Sequence, residues 1–583
     1  MRKYISLGIF SAGSLALEVT LTRLLATLYY PPFIFVVLSL AVFGIALGAA
    51  WVLFEEFLRD EKRIPLWMVL ASAAVVVQAI GLPYSATLDS PIITGMLLVF
   101  PYIGIGVSLT CIFNALSEKS QTLYAYDLAG AGIGAVLVIV LLNLLSPINA
   151  MLLIAVLMLI AGVLYELHPV TAVLIPAASI LLIANYFADF ITVDLNNLSA
   201  DKPIQQTLNS GGEIIDTRYD AFARTDLVSP GANQPVRIYV DGAAASVVPP
   251  SANNQFLLED IGLFAFVTAQ PENVFIIGSG GGLDVWFGLQ VGATNITAVE
   301  VNPNTVEFVR DIRQYSGDIY DQPNVRVLVD EGRSVLQRED TVYDLIYLSQ
   351  VVTLSAERSG YALTENAVFT VEAFEDYWNH LSDDGYIALK LYDEITTNRA
   401  LSIVIELLNQ QGFSDSEALH HTVILFSLST DPATPMLIVR KTPFTEAEAI
   451  SIGANAQQVG FESSYLPFVI VPETLQPLVD GIITYDDLIS LSNRDLSAPT
   501  DNRPFFYQIE KGIPQSLNPL LVAAGIVLAL MIAGLVIYQF QAKPPQLLSA
   551  SLYFAGLGAG FMLIELVLIQ TTRLFIGHPT LAV

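Results

Sequence analysis

Residues 274–284 have the sequence VFIIGSGGGLD, which joins a short apolar run to a cluster of glycines. The apolar run predicts a buried parallel strand, and the glycines predict a tight turn into a helix that begins near Leu283. Glycine suits such a turn because a side chain would hold a ligand away from the backbone N–H groups at the helix start. The turn is therefore the first half of a predicted ligand site.

The second half of this site is an acid about twenty residues further on. Residues 295–301 predict a second apolar strand, and Glu300 stands at its end. A carboxylate at the tip of the second strand can accept hydrogen bonds from both hydroxyls of a ribose. The turn and the acid together predict a nucleoside site.

Glycine spacing distinguishes two kinds of nucleoside fold. A dinucleotide fingerprint has glycines at relative positions one, three and six. Here the glycines are Gly278, Gly280 and Gly282, with Leu283 at position six. This spacing favours the G-x-G-x-G turn of S-adenosylmethionine folds and disfavours a nicotinamide oxidoreductase. The structural alternative is a glycine-rich turn followed by an incidental acid.

Composition excludes a single soluble domain, because 54% of the 583 residues are hydrophobic and the mean hydropathy is +0.58. The long apolar runs lie in 1–190 and 517–583, and nearly all of the formal net charge of −29 lies in 191–516. Such an acidic region does not hold nucleic acid by phosphate neutralisation. It could attract cationic polyamines, or it could serve solubility alone.

Cysteine and histidine usage predicts no metal site. The only cysteine is Cys111, within a predicted membrane helix, so no disulfide can form within one chain. The five histidines form no cluster with ligand spacing.

The composition predicts a chain of several domains. About seven apolar runs of membrane-spanning length precede the soluble part and two follow it. The predicted parts are an N-terminal transmembrane domain (1–190), a linker with a small β domain (191–270), a Rossmann-like domain (271–441), a less regular extension (442–516) and two transmembrane helices (517–583) that look truncated. Within the soluble part, 218–228 and 237–242 predict strands of a hairpin, and an alternating α/β pattern follows.

The distribution of basic residues predicts the orientation. Lysine and arginine occur at the N-terminus, in 59–63 and at Lys119, which predicts an integral protein of the plasma (inner) membrane with a cytoplasmic N-terminus. Seven spans would then put 191–516 outside, whereas S-adenosylmethionine-type cofactors are cytoplasmic. The side of the soluble domain therefore stays open.

Three acids fall within predicted spans, namely Glu18, Asp127 and Glu565. Residues 12–18 resemble 559–565 at a constant offset, and an acid in the membrane should face protein or water. The repeated glutamates are interpreted either as part of a proton or cation path or as acids that pair locally. Asp127 lies near the start of its span on a small-residue face suited to close helix packing, so we expect it at the membrane interface.

Several motifs together resemble the spermidine/spermine synthase (aminopropyltransferase) family, and in particular its membrane-embedded branch. They are Val240-Asp-Gly242, the glycine turn, Val299-Glu300, Asp330-Glu-Gly-Arg333, Tyr343-Asp-Leu-Ile, Thr364-Glu-Asn366 with Thr370-Val-Glu-Ala-Phe374, and Asp501-Asn-Arg-Pro-Phe-Phe. The resemblance covers about residues 215–440 of the soluble part and most of the membrane part. It implies an S-adenosylmethionine methyltransferase-type fold with an N-terminal β-hairpin region.

The resemblance also implies roles for individual residues. Gly278, Gly280, Gly282 and Asp284 would line the cofactor turn, and Glu300 would bind the ribose. Glu331, or Asp330 if the register differs by one, would meet the adenine amine. Asp241 would lie at the mouth of the site.

The chain departs from the family on the amine side of the site. The aspartate that serves as base after the strand 343–348 is absent, because the strand continues into Leu348-Ser-Gln-Val-Val-Thr. The family's glutamine after Asp-Gly is Ala245, and its Tyr-His-Glu is Leu257-Leu-Glu259. A protonated amine needs a carboxylate to accept its proton. Candidates for the missing chemistry are Asp241, Glu357, Tyr361 and Glu365. The alternative interpretation of the last three is that they are ordinary loop residues.

Two hypotheses follow. The first is a membrane-anchored protein that binds S-adenosylmethionine, its decarboxylated form or a thioadenosine, and transfers an aminopropyl or methyl group to an amine or another nucleophile. The second is a transporter or sensor of polyamines or nucleosides whose synthase-like domain is catalytically inactive. The expected partners are the lipid bilayer, a nucleoside and a polyamine, and a homodimer stays open.

Overall fold

The computed structural model describes residues 1–29, 32–87, 91–195, 198, 202–231, 234–351, 365–429, 433–542 and 547–576. The chain divides into two compact units, Met1–Ala245 and Ser246–Val583. The helical N-terminal region and the α/β sheet region that the sequence predicts are both present.

Long apolar helices dominate the first unit and recur near the C-terminus. In the first unit they are α1 (Arg2–Leu28), α2 (Pro32–Phe54), α3 (Ile64–Thr87), α4 (Pro91–Ala115), α5 (Ser120–Leu144), α6 (Pro147–Tyr165) and α7 (Thr171–Ala188). The C-terminal ones are Asn518–Ala542 and Leu547–Ile576. Within the described ranges, seven helices are long and apolar enough to cross a membrane, and Ser39–Phe54 and Ala524–Phe540 are shorter apolar helices. The chain is therefore compatible with a membrane protein.

Helices α1 and α5 pack closely through glycines. A Cβ atom added at Gly130 would overlap the carbonyl oxygen of Gly8, and one added at Gly134 would overlap that of Ala12. Such close backbone approach is the usual role of small residues between membrane helices. Beside this contact, Ser11 Oγ donates a hydrogen bond to Asp127 Oδ1 at 2.5 Å. The small-residue face around Asp127 is thus a helix–helix contact, and its depth in a membrane stays a prediction.

A proline inside α4 is compensated from α3. Pro101 has no N–H group, so it cannot donate to the carbonyl of Leu97, four residues earlier. Gln78 Nε2 donates to the Leu97 oxygen instead, at 3.0 Å. Side chains from a neighbouring helix commonly satisfy carbonyls that a proline frees in an apolar bundle.

A short helix and a small antiparallel sheet follow α7. The helix is α8 (Pro203–Asn209), and the sheet order is β1-β2-β3-β4, with β1 (Glu213–Tyr219), β2 (Arg224–Ser229), β3 (Arg237–Val240) and β4 (Ala244–Val247). The prediction of one strand over 218–228 was wrong, because a turn separates β1 from β2. Asp220 Oδ1 accepts hydrogen bonds from the backbone N–H groups of Phe222 and Ala223, each at 2.7 Å, and this bonding stabilises the turn.

The segment after α7 is bound to the helices rather than separate from them. Lys202 is fully buried, and its Nζ donates to the carbonyl oxygens of Ala26 and Thr27 at 2.9 and 2.5 Å. These carbonyls lie in the last turn of α1, where they lack partners within the helix. Asn143 Oδ1, in α5, accepts from the backbone N–H of Ala221 at 2.8 Å. The compact unit therefore extends to Ala245, beyond the boundary predicted at 190.

An eight-stranded sheet organises the second unit, in the order β12-β10-β11-β9-β8-β5-β6-β7. Neighbouring strands from β9 to β7 run parallel, and the pairs β9–β11, β11–β10 and β10–β12 are antiparallel. The strands are β5 (Asn273–Ile277), β6 (Asn295–Glu300), β7 (Val325–Val329), β8 (Tyr343–Ser349), β9 (Leu381–Lys390), β10 (Thr422–Ser427), β11 (Thr434–Arg440) and β12 (Phe461–Tyr465). The helices are α9 (Ile261–Ala269), α10 (Leu283–Gln290), α11 (Pro303–Asp311), α12 (Arg313–Ser316), α13 (Gly332–Gln337), α14 (Val371–Asn379), α15 (Glu394–Gln410), α16 (Asp415–Leu419), α17 (Glu446–Gln458), α18 (Gln476–Val479), α19 (Tyr485–Leu491), α20 (Asn518–Ala542) and α21 (Leu547–Ile576).

The order of the parallel strands determines where a ligand can bind. The chain passes from β5 to β6 and β7 on one side and then returns to β8 on the other side of β5. In open α/β sheets, ligands bind outside the carboxyl ends of the strands where the strand order reverses. The strand order reverses between β5 and β8, and the glycine turn directly follows β5 at this edge of the sheet.

The interval 442–516 is more regular than the sequence predicts. It contributes α17 and the edge strand β12, which pairs with β10. The strand has the sequence FESSY, so its hydrophobic pattern is weak. Its partner strand β10 lies more than 30 residues earlier in the chain, and Ser427 pairs with Phe461.

Candidate functional site

The glycine turn has the geometry that the sequence predicts. Strand β5 ends at Ile277, and α10 begins at Leu283. Gly278, Gly280 and Gly282 have φ angles of 76°, 53° and 92°, which side chains disfavour. A Cβ atom at Gly280 would also overlap Ser246 Oγ.

Glu300 lies against this turn. Its Oε2 accepts a hydrogen bond from the N–H of Gly280 at 2.9 Å, and its Oε1 accepts one from the N–H of Asn302 at 2.9 Å. The side chain is 8% exposed, and burial raises the pKa of its carboxyl, although the backbone hydrogen bonds oppose the shift. The N–H of Val301 is a third backbone donor to this carboxyl. An ionised carboxylate offers about four acceptor positions, so acceptor capacity stays open for a ribose hydroxyl.

The backbone N–H groups of the turn are all engaged within the protein. Those of Gly278 and Ser279 donate to the Val299 oxygen at 2.8 and 3.1 Å, and that of Gly282 donates to Ser279. The N–H of Gly281 donates to Ser246 Oγ at 2.6 Å. Because a pyrophosphate needs free backbone donors, this turn suits an uncharged nucleoside better than a dinucleotide.

The acids after β7 have structural partners. Glu331 caps α13, because its carboxylate accepts from the N–H groups of Arg333 and Ser334 at 3.1 and 2.7 Å. Asp330 forms an exposed ion pair with Arg338. Both acids directly follow β7, the strand that pairs with β6, and their contact with an adenine stays a prediction.

Asp284 lies in the first turn of α10 and is 5% exposed. Burial raises the pKa of its carboxyl to about 8, the charge of Lys390 opposes this shift, and that of Asp260 adds to it. Within the described part of the chain, no group forms a hydrogen bond with this carboxyl. A buried carboxyl without a hydrogen-bond partner is costly, and the role of Asp284 in ligand binding stays a prediction.

The tip of β8 has no acid among its described residues. Ser349 ends the strand, and Gln350 has a φ of 45° and donates its N–H to the Lys390 oxygen at 2.9 Å. The Val351 side chain lies 3.5 Å from where a Cβ atom of Gly278 would be. Gln350 and Val351, the described residues directly after β8, thus border the glycine turn with uncharged groups. Residues 352–364 lie outside the described part of the chain, so the missing base stays a prediction from the sequence.

The other candidate residues are more scattered. Asp241 belongs to the first unit, where its Oδ1 accepts from the N–H of Arg224 at 3.0 Å. Glu365 is partly buried and precedes α14, whereas Glu357 and Tyr361 lie outside the described residues. Glu18 is partly buried in α1. Glu565 lies in α21, and its side chain is outside what the structure describes.

Two side chains at the site were not expected from sequence. Lys390 ends β9, and its Nζ lies 2.7 Å from both carboxylate oxygens of Asp260. Tyr320 Oη lies 3.0 Å from Ser279 Oγ and donates to the Gly280 oxygen at 2.5 Å. For Lys390, the only signal in the sequence is a lysine at the end of an apolar strand. For Tyr320, the sequence contains no such signal.

Comparison with known proteins gives similarity only at the level of solved structures. No family model matches the chain. No curated protein matches it. A spermidine synthase in complex with the transition-state analogue AdoDATO has 14% identity and a TM-score of 0.32, with 46% of this chain and 88% of that chain covered. Spermidine synthase from Thermotoga maritima has 14% identity and a TM-score of 0.33, with the same coverage. A probable spermidine synthase from Corynebacterium glutamicum has 16% identity and a TM-score of 0.33, with 52% and 98% covered. These values are low, so a functional assignment depends on the residues of this chain.

Proposed function

We propose that residues 246–516 form a spermidine-synthase-like domain that binds an adenosine-containing sulfonium or thioether, on a protein anchored in the membrane by its apolar helices. The ligand is S-adenosylmethionine, its decarboxylated form or a thioadenosine. The observation that carries this proposal is the hydrogen bond from the Gly280 N–H to Glu300, which joins the glycine turn to the acid of the next strand. Both groups lie at the carboxyl ends of parallel strands, beside the point where the strand order reverses.

The proposed reaction is transfer of a methyl or aminopropyl group from the sulfonium to a nucleophile. The sulfonium leaving group is already activated, so positioning supplies most of the catalysis. Since β8 ends without an acid, the nucleophile either arrives deprotonated or loses its proton to a carboxylate elsewhere. Glu357 and Glu365, on the segment after β8, are the proposed bases, and Tyr361 is proposed to orient the substrate.

Binding to the full-length protein in detergent micelles tests this proposal. Isothermal titration with S-adenosylmethionine, its decarboxylated form and 5′-methylthioadenosine should give binding for at least one of them. Glu300→Gln should weaken that binding about tenfold or more, because the amide offers the ribose fewer acceptors. Glu406→Gln, at an exposed position of α15, is the matched control and should bind as the wild type does. Absence of binding for all three ligands would refute the proposal.

The proposed location is the plasma (inner) membrane with a cytoplasmic N-terminus, supported by basic residues at the N-terminus and in 59–63. If all of α1–α7 cross, the soluble domain lies on the side opposite the N-terminus, whereas the proposed cofactor is cytoplasmic. Protease accessibility of 246–516 in intact cells, compared with lysed cells, determines the side.

A transporter or sensor is the second proposed function. It is favoured by the Ser11–Asp127 hydrogen bond between two apolar helices and by the uncharged tip of β8. Polyamine or nucleoside flux in proteoliposomes separates the two functions. Flux that is lost in Glu18→Gln and Glu565→Gln but retained in Glu300→Gln would support transport alone.

A further inference from the structure

Two hydroxyl groups hold one peptide group of the glycine turn from opposite ends. The carbonyl oxygen of Gly280 accepts a hydrogen bond from Tyr320 Oη at 2.5 Å. The N–H of Gly281, in the same peptide group, donates to Ser246 Oγ at 2.6 Å. Ser246 lies in β4 and Tyr320 lies in a single helical turn after α12, so two separate segments contact this peptide group. A glycine backbone depends on such contacts, because its own sterics allow many conformations.

The hydroxyl of Tyr320 also contacts the residue before Gly280. Tyr320 is 2% exposed, and burial raises the pKa of its phenol, so the hydroxyl keeps its proton. A hydroxyl has one hydrogen to donate, and that of Tyr320 goes to Gly280. The contact of 3.0 Å between Tyr320 Oη and Ser279 Oγ is therefore a hydrogen bond that Ser279 donates. Tyr320 thus contacts both residues of the peptide group whose N–H reaches Glu300.

The segments that supply the two hydroxyls pack closely against the turn and against each other. A Cβ atom added at Gly281 would lie 2.4 Å from the carbonyl oxygen of Val247, the residue after Ser246. The N–H of Ser251 donates to the Tyr315 oxygen at 2.7 Å, which joins the segment after β4 to α12. The two hydroxyls are therefore held in place by more than their own hydrogen bonds to the turn.

We propose that Tyr320 and Ser246 are positioning residues of the nucleoside site, which hold the glycine turn so that the Gly280 N–H stays bonded to Glu300 and the Glu300 carboxylate faces the ribose. This inference rests on the proposed function and adds two residues to it. Neither hydroxyl needs to contact the ligand. Without them, the peptide group between Gly280 and Gly281 is free to rotate, because glycine has no side chain to prevent it. The 2.9 Å hydrogen bond from Gly280 to Glu300 is then lost in part of the molecules.

The ionisation of Glu300 reports this positioning. Burial raises the pKa of the Glu300 carboxyl, and the N–H groups of Asn302, Gly280 and Val301 oppose the shift. Loss of the Gly280 hydrogen bond removes one of the opposing effects, so the pKa rises further. The other charged side chains that act on the Tyr320 hydroxyl are Asp284 and Arg310, and the substitutions below leave both in place.

Tyr320→Phe and Ser246→Ala each remove one hydroxyl and keep the rest of the side chain. We expect each to weaken binding of 5′-methylthioadenosine to the full-length protein about threefold to tenfold at about pH 8. A protonated Glu300 offers the ribose fewer acceptors, so binding weakens as pH falls through its pKa. In both variants this weakening should begin about 0.5–1 pH unit higher than in the wild type. Wild-type affinity and an unchanged pH profile in both variants would overturn the inference.

Tyr465→Phe is the matched control for lost stability. The Tyr465 hydroxyl is buried and donates to the Leu419 oxygen at 3.2 Å, beside the edge strand β12. Its removal should lower the unfolding free energy as Tyr320→Phe does, but should leave the affinity and the pH profile of nucleoside binding unchanged. Equal effects of the two substitutions on binding would show that Tyr320 acts through general stability, and would contradict the inference.

A measurement without ligand separates this inference from the proposed function. The difference in unfolding free energy between the protein with Glu300 and its Glu300→Gln variant depends on pH where Glu300 ionises. That pH range should move upwards in the Tyr320→Phe background. If it moves and no nucleoside binds, the positioning is supported and the proposed function is refuted. If nucleoside binding depends on Glu300 and the pH range does not move, the proposed function is supported and the positioning is refuted. If neither effect occurs, both are refuted.

Discussion

Arg333 and Asp501 form a bidentate ion pair, with Nη1–Oδ1 and Nη2–Oδ2 distances of 2.7 and 3.0 Å. The pair joins two motifs that lie 168 residues apart in the sequence. Asp501 Oδ1 also accepts from Thr370 Oγ1 at 2.8 Å, so the motif that begins α14 is attached to the same point. Asp501 thereby attaches the extension 442–516 to Arg333 in α13 and to Thr370, which directly precedes α14.

Arg333→Met should destabilise this attachment. Arg333 is 10% exposed on its side chain, and its loss leaves the carboxylates of Asp376 and Asp501 without their partner. The two carboxylates are 25% and 29% exposed, so the loss of these partly buried pairs should cost about 1–3 kcal/mol. Thermal unfolding and the rate of proteolysis within 442–509, measured on the full-length protein, should show a lower midpoint and faster cleavage.

Arg338→Met is the matched control for this prediction. Arg338 pairs with Asp330, but the two side chains are 61% and 37% exposed. An exposed pair contributes less than about 1 kcal/mol. Equal effects of the two substitutions would contradict the role assigned to Arg333.

Asp284→Asn should change how stability depends on pH. The pKa of this carboxyl is 3.8 as a reference value and about 8 in the folded protein. The folded state therefore holds the proton more tightly, and the stability that this group contributes is full at low pH and is lost as pH rises towards 8. The unfolding free energy of Asp284→Asn, relative to that of the wild type, should rise between about pH 4 and 8 by a few kcal/mol. Above about pH 8 this difference should stay constant. Chemical denaturation at a series of pH values measures the difference, and a difference that does not vary with pH would contradict the burial of an unpaired carboxyl.

Gly130→Ala should disrupt the contact between α1 and α5, because the added Cβ atom would overlap the carbonyl oxygen of Gly8. Gly132 is the matched control two residues away, where an added Cβ atom meets nothing within 4 Å. Gly132→Ala should be neutral or stabilise the helix by up to about 1 kcal/mol. Thermal unfolding in detergent compares the two, and tolerance of Gly130→Ala would show that the helices do not pack this closely.

Gln78→Leu should destabilise the pair of helices α3 and α4 by about 1 kcal/mol, because it leaves the Leu97 carbonyl without a donor. Pro101→Ala restores the backbone N–H that this carbonyl lacks, so the same Gln78→Leu substitution should cost less in that background. A double-mutant cycle of unfolding free energies measures the coupling. No coupling between the two positions would refute the compensation.

Local patterns were sufficient to predict the centre of the fold. The run Val274–Ile277 and the following glycines encode β5, the turn and α10 within a few residues of one another, so no distant contact is needed to recognise them. The predictions at 343–348 and 422–428 were also confirmed, because β8 and β10 are buried and nearly continuously apolar. The pattern of residues 218–228 predicted one continuous strand and was misleading, because hydrogen bonds to Asp220 stabilise a turn between β1 and β2.

The side-chain pairs of the site could not be predicted in the same way. Lys390 and Asp260 are 130 residues apart, and Gly281 and Ser246 are 35 apart, so only the packed structure shows that they meet. The capping role of Glu331 was also not expected, although a carboxylate just before a helix is a common cap. The roles assigned to Glu300, Asp330 and Glu331 in ligand binding stay predictions.

The central claim is that an adenosine group binds between the glycine turn and Glu300. Determination of the structure of the full-length protein with 5′-methylthioadenosine at saturation tests it most directly. We expect both ribose hydroxyls within about 2.6–3.2 Å of the Glu300 carboxylate, with the sulfur towards Asp284. A ligand bound elsewhere, or this crevice without ligand at saturation, would contradict the claim.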